Sequence, residues 1–112
     1  MQGWSLDEEL EREVEDLRKA GIAYARAKGY RVSLELKKHS IHAVAMQQSG
    51  EESVSAQSRE AYASLQYQQW VQQYADAIYD EERARVEYEA LRYKGDLIRT
   101  QQATRRAEMS LR

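Results

Sequence analysis

The amino-acid sequence predicts an all-α protein built as a long antiparallel two-helix hairpin. Ala, Glu, Arg, Leu and Lys account for 55 of the 112 residues, a composition typical of long helices and coiled coils. The chain has no proline and only five glycines, so few positions interrupt a helix. Apolar or small residues recur at steps of three or four over two long stretches, which one serine-rich segment separates.

The first helix is expected over about residues 5–48. Ser5 and Glu8 have the spacing of a capping box, and acidic residues fill the first turn, where the helix dipole favours them. The stripe that faces the other helix is expected at Leu10, Val14, Leu17, Gly21, Tyr24, Ala27, Arg31, Leu34, Lys38, Ile41, Ala45 and Gln48.

A bend that contains a short helix is expected over about residues 49–63, because the segment SGEESVSAQS breaks the periodicity. Ser64 is expected to cap a second long helix, over about residues 64–110. The stripe of this helix is expected at Tyr67, Val71, Tyr74, Ile78, Glu81, Arg85, Tyr88, Leu91, Gly95, Ile98, Gln102, Arg105 and Met109.

The charge pattern favours antiparallel pairing of the two long helices within a single domain, residues 1–112. Residues 7–16 carry seven acids and one base, whereas residues 97–106 carry three bases and no acid. Residues 17–46 carry seven bases and one acid, and residues 67–96 carry seven acids and four bases. Exposed ion pairs contribute only about 0–1 kcal/mol each, so they indicate the register rather than the stability.

Two helices bury one stripe each, and further apolar residues lie outside those stripes. Examples are Val32, Leu36, Val86 and Leu97. A second copy of the chain is the simplest cover, which predicts a homodimer that forms a four-helix bundle. A different protein docked on the hairpin is the alternative.

Several classes of function are disfavoured by composition. The chain has no cysteine, which excludes disulfides, thiolate metal sites and cysteine nucleophiles. Residues 1–16 are acidic without an apolar run, and no stretch of 18 consecutive apolar residues occurs, so we expect a cytoplasmic protein without membrane contact. No catalytic constellation or phosphate-binding loop appears, so we expect no enzyme activity, no catalytic residues and no cofactor.

The two histidines, His39 and His42, are three residues apart on the first helix, with Glu35 one turn earlier. This spacing is compatible with a metal site. Lys37 and Lys38 adjoin the pair and repel a cation, so we expect no metal here.

A basic stretch in the first helix is the first candidate contact surface. Its bases, interleaved with tyrosines, suit phosphate contacts and base stacking with single-stranded nucleic acid, or contact with a protein partner. In the alternative interpretation, acids at 76–89 of the other helix neutralise these bases. The residues concerned are Arg26, Lys28, Arg31, Lys37 and Lys38.

Trp70 is the second candidate, within the glutamine-rich segment QYQQWVQQY. Exposed aromatic residues supply much of the binding energy at protein interfaces, so Trp70 is interpreted as a protein-docking residue. The alternative is that Trp70 belongs to the core.

Three segments resemble small helical proteins of tailed bacteriophages and prophages. They are Tyr24-Ala25-Arg26-Ala27-Lys28-Gly29 with Leu34-Glu35-Leu36-Lys37-Lys38, then residues 53–64 (SVSAQSREAYAS), and residues 99–109 (RTQQATRRAEM). Such proteins are often encoded near recombination or replication functions. The resemblance implies a phage setting, in the cytoplasm of an infected bacterium, and it implies no site residues.

The expected function is therefore a non-enzymatic protein-interaction module. It would act as an adaptor or modulator of phage DNA metabolism, or of a host complex, with another phage or host protein as its partner. One alternative is a single-stranded nucleic-acid-binding protein. Another is a virion assembly or scaffolding component.

Overall fold

A computed structural model describes residues 5–111, apart from the side chain of Leu6. Over these residues the chain forms three α-helices and no strand. The helices are α1 (Leu6–Gln47), α2 (Val54–Ala63) and α3 (Leu65–Ser110). The all-α class is confirmed. The sequence placed the helices at about 5–48, within 49–63 and at about 64–110.

Serine side chains cap the start of each helix. The N–H of Glu8 donates to Ser5 Oγ over 3.1 Å, as the capping pattern predicts, and the N–H of Ala56 donates to Ser53 Oγ over 3.2 Å. Ser64 alone separates α2 from α3. Its extended backbone (φ −66°, ψ 152°) ends α2, and its Oγ accepts from the N–H of Tyr67 over 3.2 Å.

The contacts within the chain form two compact units. The first unit contains the residues up to 25 and those from 83 onward, and the second contains residues 26–82. Both long helices contribute to each unit.

In the first unit, α1 and α3 pack through a ring pair, a glycine and an ion pair. The rings of Tyr24 and Tyr88 lie 6.0 Å apart. A Cβ added to Gly21 would lie 3.2 Å from Cε1 of Tyr88, so the glycine makes room for this ring. Lys94 Nζ lies 2.7 Å from Glu13 Oε1. Later residues of α1 thus contact earlier residues of α3, an antiparallel order inside this unit.

In the second unit, one aromatic cluster joins α1 and α3. Leu34, Tyr67, Trp70 and Ala77 are buried together. The indole of Trp70 stacks on Tyr74 with ring centroids 5.0 Å apart. The short helix α2 packs on the same cluster through Tyr62, whose ring lies 5.0 Å from that of Tyr67. Ala61 of α2 is fully buried.

The buried stripes differ from the expected ones by one residue at several points. In α3, Trp70 and Ala77 are buried, whereas the expected Val71 and Ile78 are each 41% exposed. In α1, Glu13 is 7% exposed and the expected Val14 is 51% exposed. Each long helix therefore leaves apolar side chains outside its core.

Candidate functional site

The exposed basic surface of α1 in the second unit is the candidate site. We call it the basic face, and it comprises the exposed residues Arg26, Lys28, Tyr30, Val32, Leu36, Lys37 and Lys38. At 3.6 residues per turn, Lys28 and Lys37 lie on opposite sides of the helix, so these residues surround the exposed part of α1 rather than form one narrow stripe. All seven residues are exposed, although the face combines four cations with three apolar or aromatic side chains.

Arg31, which the sequence placed among the contact residues, is held inside its own unit instead. Its guanidinium donates to the carboxylate of Glu81 on α3, and its Nη1 lies 2.8 Å from Glu35 Oε2. Only 23% of its side chain is exposed. The hydrogen bond to Glu81 raises the pKa of Arg31, so this cation is committed to an internal ion pair.

The other four predicted contact residues are exposed to solvent. Arg26, Lys28, Lys37 and Lys38 are exposed, and within residues 5–111 none of them forms an ion pair. Acids of α3 therefore neutralise the basic stretch at Arg31, and they leave four cations facing solvent.

Apolar side chains lie among these cations. Leu36 is 75% exposed, and Val32 and Tyr30 are also exposed. In sequence Leu36 lies between Glu35 and Lys37, so both an acid and a base adjoin this exposed aliphatic side chain. Gly29, between Lys28 and Tyr30, has open space around it, because an added Cβ would meet nothing within 4 Å.

An apolar groove continues from the basic face toward the end of α1. It has a volume of about 360 Å³. It is lined by Lys37, Ser40, Ile41, Val44, Ala45, Gln48 and Gln66. Val44 is half exposed within it, so the groove can accept a side chain from a partner.

Trp70 does not lie on this surface. It is 6% exposed, and its Nε1–H donates to the backbone carbonyl of Leu34 over 2.8 Å. The apolar ring is buried and its N–H is already hydrogen-bonded, so neither is available to a partner. The docking role suggested for Trp70 is therefore corrected to a core role that links α3 to α1.

The two histidines have different surroundings. His42 lies against the ring of Tyr62, with centroids 4.3 Å apart, and its Nε2 lies 3.3 Å from Ser58 Oγ. His39 is exposed. His42 thus contributes to the packing of α2, and in the described part of the chain no group of three or more metal-ligating side chains is assembled.

The first unit holds a more polar hollow of about 420 Å³. Asp16 and Lys19 of α1 and Glu87 of α3 line it, together with alanines and Leu91. It is open to solvent, and its charged groups are of both signs.

Comparisons with known proteins add no relative, since no protein-family model, curated protein or solved structure matches the chain. None of the described helices contains a segment long and apolar enough to cross a membrane.

Proposed function

We propose that this protein is a non-enzymatic protein-interaction module whose basic face binds a protein partner. The observation that carries the proposal is that Leu36 is 75% exposed on a segment of α1 where Arg26, Lys28, Lys37 and Lys38 are also exposed. Burying such a side chain contributes about 1.5–3 kcal/mol, and the surrounding lysines select a partner that carries acids.

The proposed architecture is a single antiparallel helical hairpin over residues 1–112 that dimerises into a four-helix bundle. It is supported by the antiparallel order of contacts inside each unit, from Glu13 with Lys94 in the first to Arg31 with Glu81 in the second. Exposed apolar residues on both long helices, such as Leu36 and Tyr93, support a further helix partner.

The proposed setting is phage DNA metabolism, or the takeover of a host complex, in the cytoplasm of an infected bacterium. It rests on the resemblance of residues 24–29 with 34–38, residues 53–64 and residues 99–109 to small helical phage proteins.

Photo-cross-linking tests the proposal directly. A benzophenone amino acid replaces Leu36 in the full chain, and the matched control replaces Gln73, an exposed residue of α3 in the same unit. In extract of an infected host, position 36 is expected to cross-link one protein, and position 73 is not. The adduct should survive nuclease treatment and disappear in the Lys28→Glu, Lys37→Glu background. Equal cross-linking from both positions, or none, would contradict the proposal.

The second candidate function is binding of single-stranded nucleic acid. It is favoured by the solvent exposure of four cations, Arg26, Lys28, Lys37 and Lys38. In this case Tyr30 would stack on a base and the four cations would contact phosphates, without Arg31. Anisotropy of a labelled oligonucleotide should then show affinity that falls steeply with salt. Lys37→Glu with Lys38→Glu should abolish this binding, while Arg105→Glu with Arg106→Glu serves as the control pair of exposed bases.

A further inference from the structure

We infer that the basic face of α1 is covered by the acidic first turns of α1 from a second copy of this chain, running antiparallel. The inference rests on the proposed function and names the partner of the same surface. It is argued from charge complementarity between two exposed segments of α1.

The complementary segment is the start of α1. We call it the acidic face, and it comprises Asp7, Glu8, Glu11, Val14 and Glu15, all of them exposed. Glu15 also forms an exposed ion pair with Arg18, with Oε1 2.7 Å from Nη2. Steps of three and four place Asp7, Glu11 and Val14 on one side of the helix. The remaining acid at a neighbouring position, Glu13, is buried and paired with Lys94, so it takes no part in this face.

The arrangement of charge along α1 decides the orientation. Glu13 and Arg31 are paired inside the chain; without them, residues 7–16 carry six acids and one base, and residues 26–38 carry four bases and one acid, Glu35. Antiparallel pairing of two copies about a two-fold axis therefore places acids on bases twice. Parallel pairing would place acids on acids and bases on bases.

Apolar side chains are available at both ends of this pairing. Val14 lies exposed within the acidic face, and Leu36 within the basic face. Between them Gly29 is exposed, and its open surroundings allow a second helix to approach the backbone closely. Glycine weakens a helix interior, and within residues 5–111 an added Cβ at Gly29 would meet nothing, so the second copy supplies a reason for its presence.

Charge reversal in two separate variants tests the pairing. The base-reversed variant carries Lys28→Glu and Lys37→Glu, and the acid-reversed variant carries Glu11→Lys and Glu15→Lys, both beyond the first turn of α1. Sedimentation velocity should show a dimer for the wild type and at least about tenfold weaker self-association for each variant alone. An equimolar mixture should form a heterodimer, because both contacts become attractive again. Circular dichroism should be unchanged throughout, and Arg105→Glu with Arg106→Glu should dimerise like the wild type.

A monomeric wild type, or a mixture that fails to associate, would overturn the inference. Variants that dimerise as tightly as the wild type would overturn it as well, since the dimer would then use another surface. Failure of the proposed function is separately visible. If the wild type is monomeric while position 36 still cross-links another protein, only the inference fails, and if position 36 cross-links nothing, both fail.

Discussion

The indole N–H of Trp70 donates a hydrogen bond to the backbone carbonyl of Leu34, 2.8 Å away across the second unit. The indole is buried and stacked on Tyr74, so one residue of α3 joins apolar packing to a directional contact with α1. This link places α1 against α3 immediately beside the basic face, whose Val32 and Leu36 flank Leu34 in sequence.

Replacement of Trp70 should therefore damage folding rather than partner binding alone. Trp70→Ala is expected to lower the free energy of unfolding by about 3–5 kcal/mol, because it removes a large buried side chain. Urea denaturation followed by circular dichroism measures this change. Tyr79→Ala, at a position that is 66% exposed, should stay close to the wild type. A stable Trp70→Ala variant that had lost a partner would restore the docking interpretation.

Because of the ion pair between Glu13 and Lys94, the free energy of unfolding should fall as the pH becomes alkaline. The hydrogen bond to Glu13 raises the pKa of Lys94 above its ordinary value. A raised pKa in the folded state stabilises the fold at all pH values below the unfolded pKa, about 10.4, and the contribution is lost as pH rises through the higher folded value. Between neutral pH and that range, the wild type should lose more stability than Glu13→Gln, measured by thermal melts. Parallel pH curves for the two proteins would contradict this account.

Glu13 also has a carboxylate oxygen, Oε2, that is buried without a hydrogen-bond partner. An unsatisfied buried oxygen costs stability, and replacing a buried ion pair by apolar groups is often neutral or stabilising. We expect Glu13→Leu to be at least as stable as the wild type in chemical denaturation, and Lys94→Ala to be less stable, since it leaves the buried charge unpaired. A strongly destabilised Glu13→Leu would show that the ion pair contributes net stability.

Alanine substitution should change the stability of α1 differently at its two glycines, Gly21 and Gly29. Gly29→Ala is expected to stabilise the helix by up to about 1 kcal/mol, because its Cβ meets open space. Gly21→Ala should gain less, because its Cβ lies 3.2 Å from the ring of Tyr88, which must shift. Thermal melts of both variants in the base-reversed background separate helix stability from dimerisation. Equal gains at the two positions would contradict the packing described for Tyr88.

The local stability of the short helix α2 should depend on the side chain of His42. This side chain contacts Ser58 and the ring of Tyr62, whereas His39 is exposed. His42→Ala is expected to speed hydrogen exchange at the amides of residues 54–63, because local opening becomes easier when packing contacts are lost. His39→Ala is the matched control and should leave exchange unchanged. Equal hydrogen-exchange protection in both variants would show that α2 is held by contacts other than those of His42, such as the ring contact of Tyr62 with Tyr67.

The three-or-four spacing of apolar residues and the positions of the serines are sufficient to predict the all-α class and the serine caps. They did not fix which of two neighbouring apolar residues faces the core. At 70–71 and 77–78 both choices keep a three-or-four spacing, so the spacing that predicts Val71 and Ile78 fits Trp70 and Ala77 equally well. The structure buries Trp70, whose N–H finds the Leu34 carbonyl, and Ala77, whose small side chain permits close approach of α1.

The candidate site was predictable in part for a similar reason. The sequence located the basic stretch, but the separation of Arg31 from the other bases depends on which residue faces Glu81 across the pair of helices. Burial of Glu13 was not foreseen either, because a carboxylate in a run of seven acids appears as one more solvated charge until Lys94 is placed opposite it.

The central claim is that the basic face of α1 binds a protein, and amine-acylation footprinting tests it most directly. Reactivity of each lysine is measured by mass spectrometry for the full chain in infected-cell extract and for the purified protein at high dilution. Lys28 and Lys37 should be protected in extract, and the protection should persist after nuclease treatment. Lys19, exposed on α1 outside the basic face, is the internal control and should react equally in both. Equal reactivity at all three lysines, or protection that nuclease removes, would contradict the account.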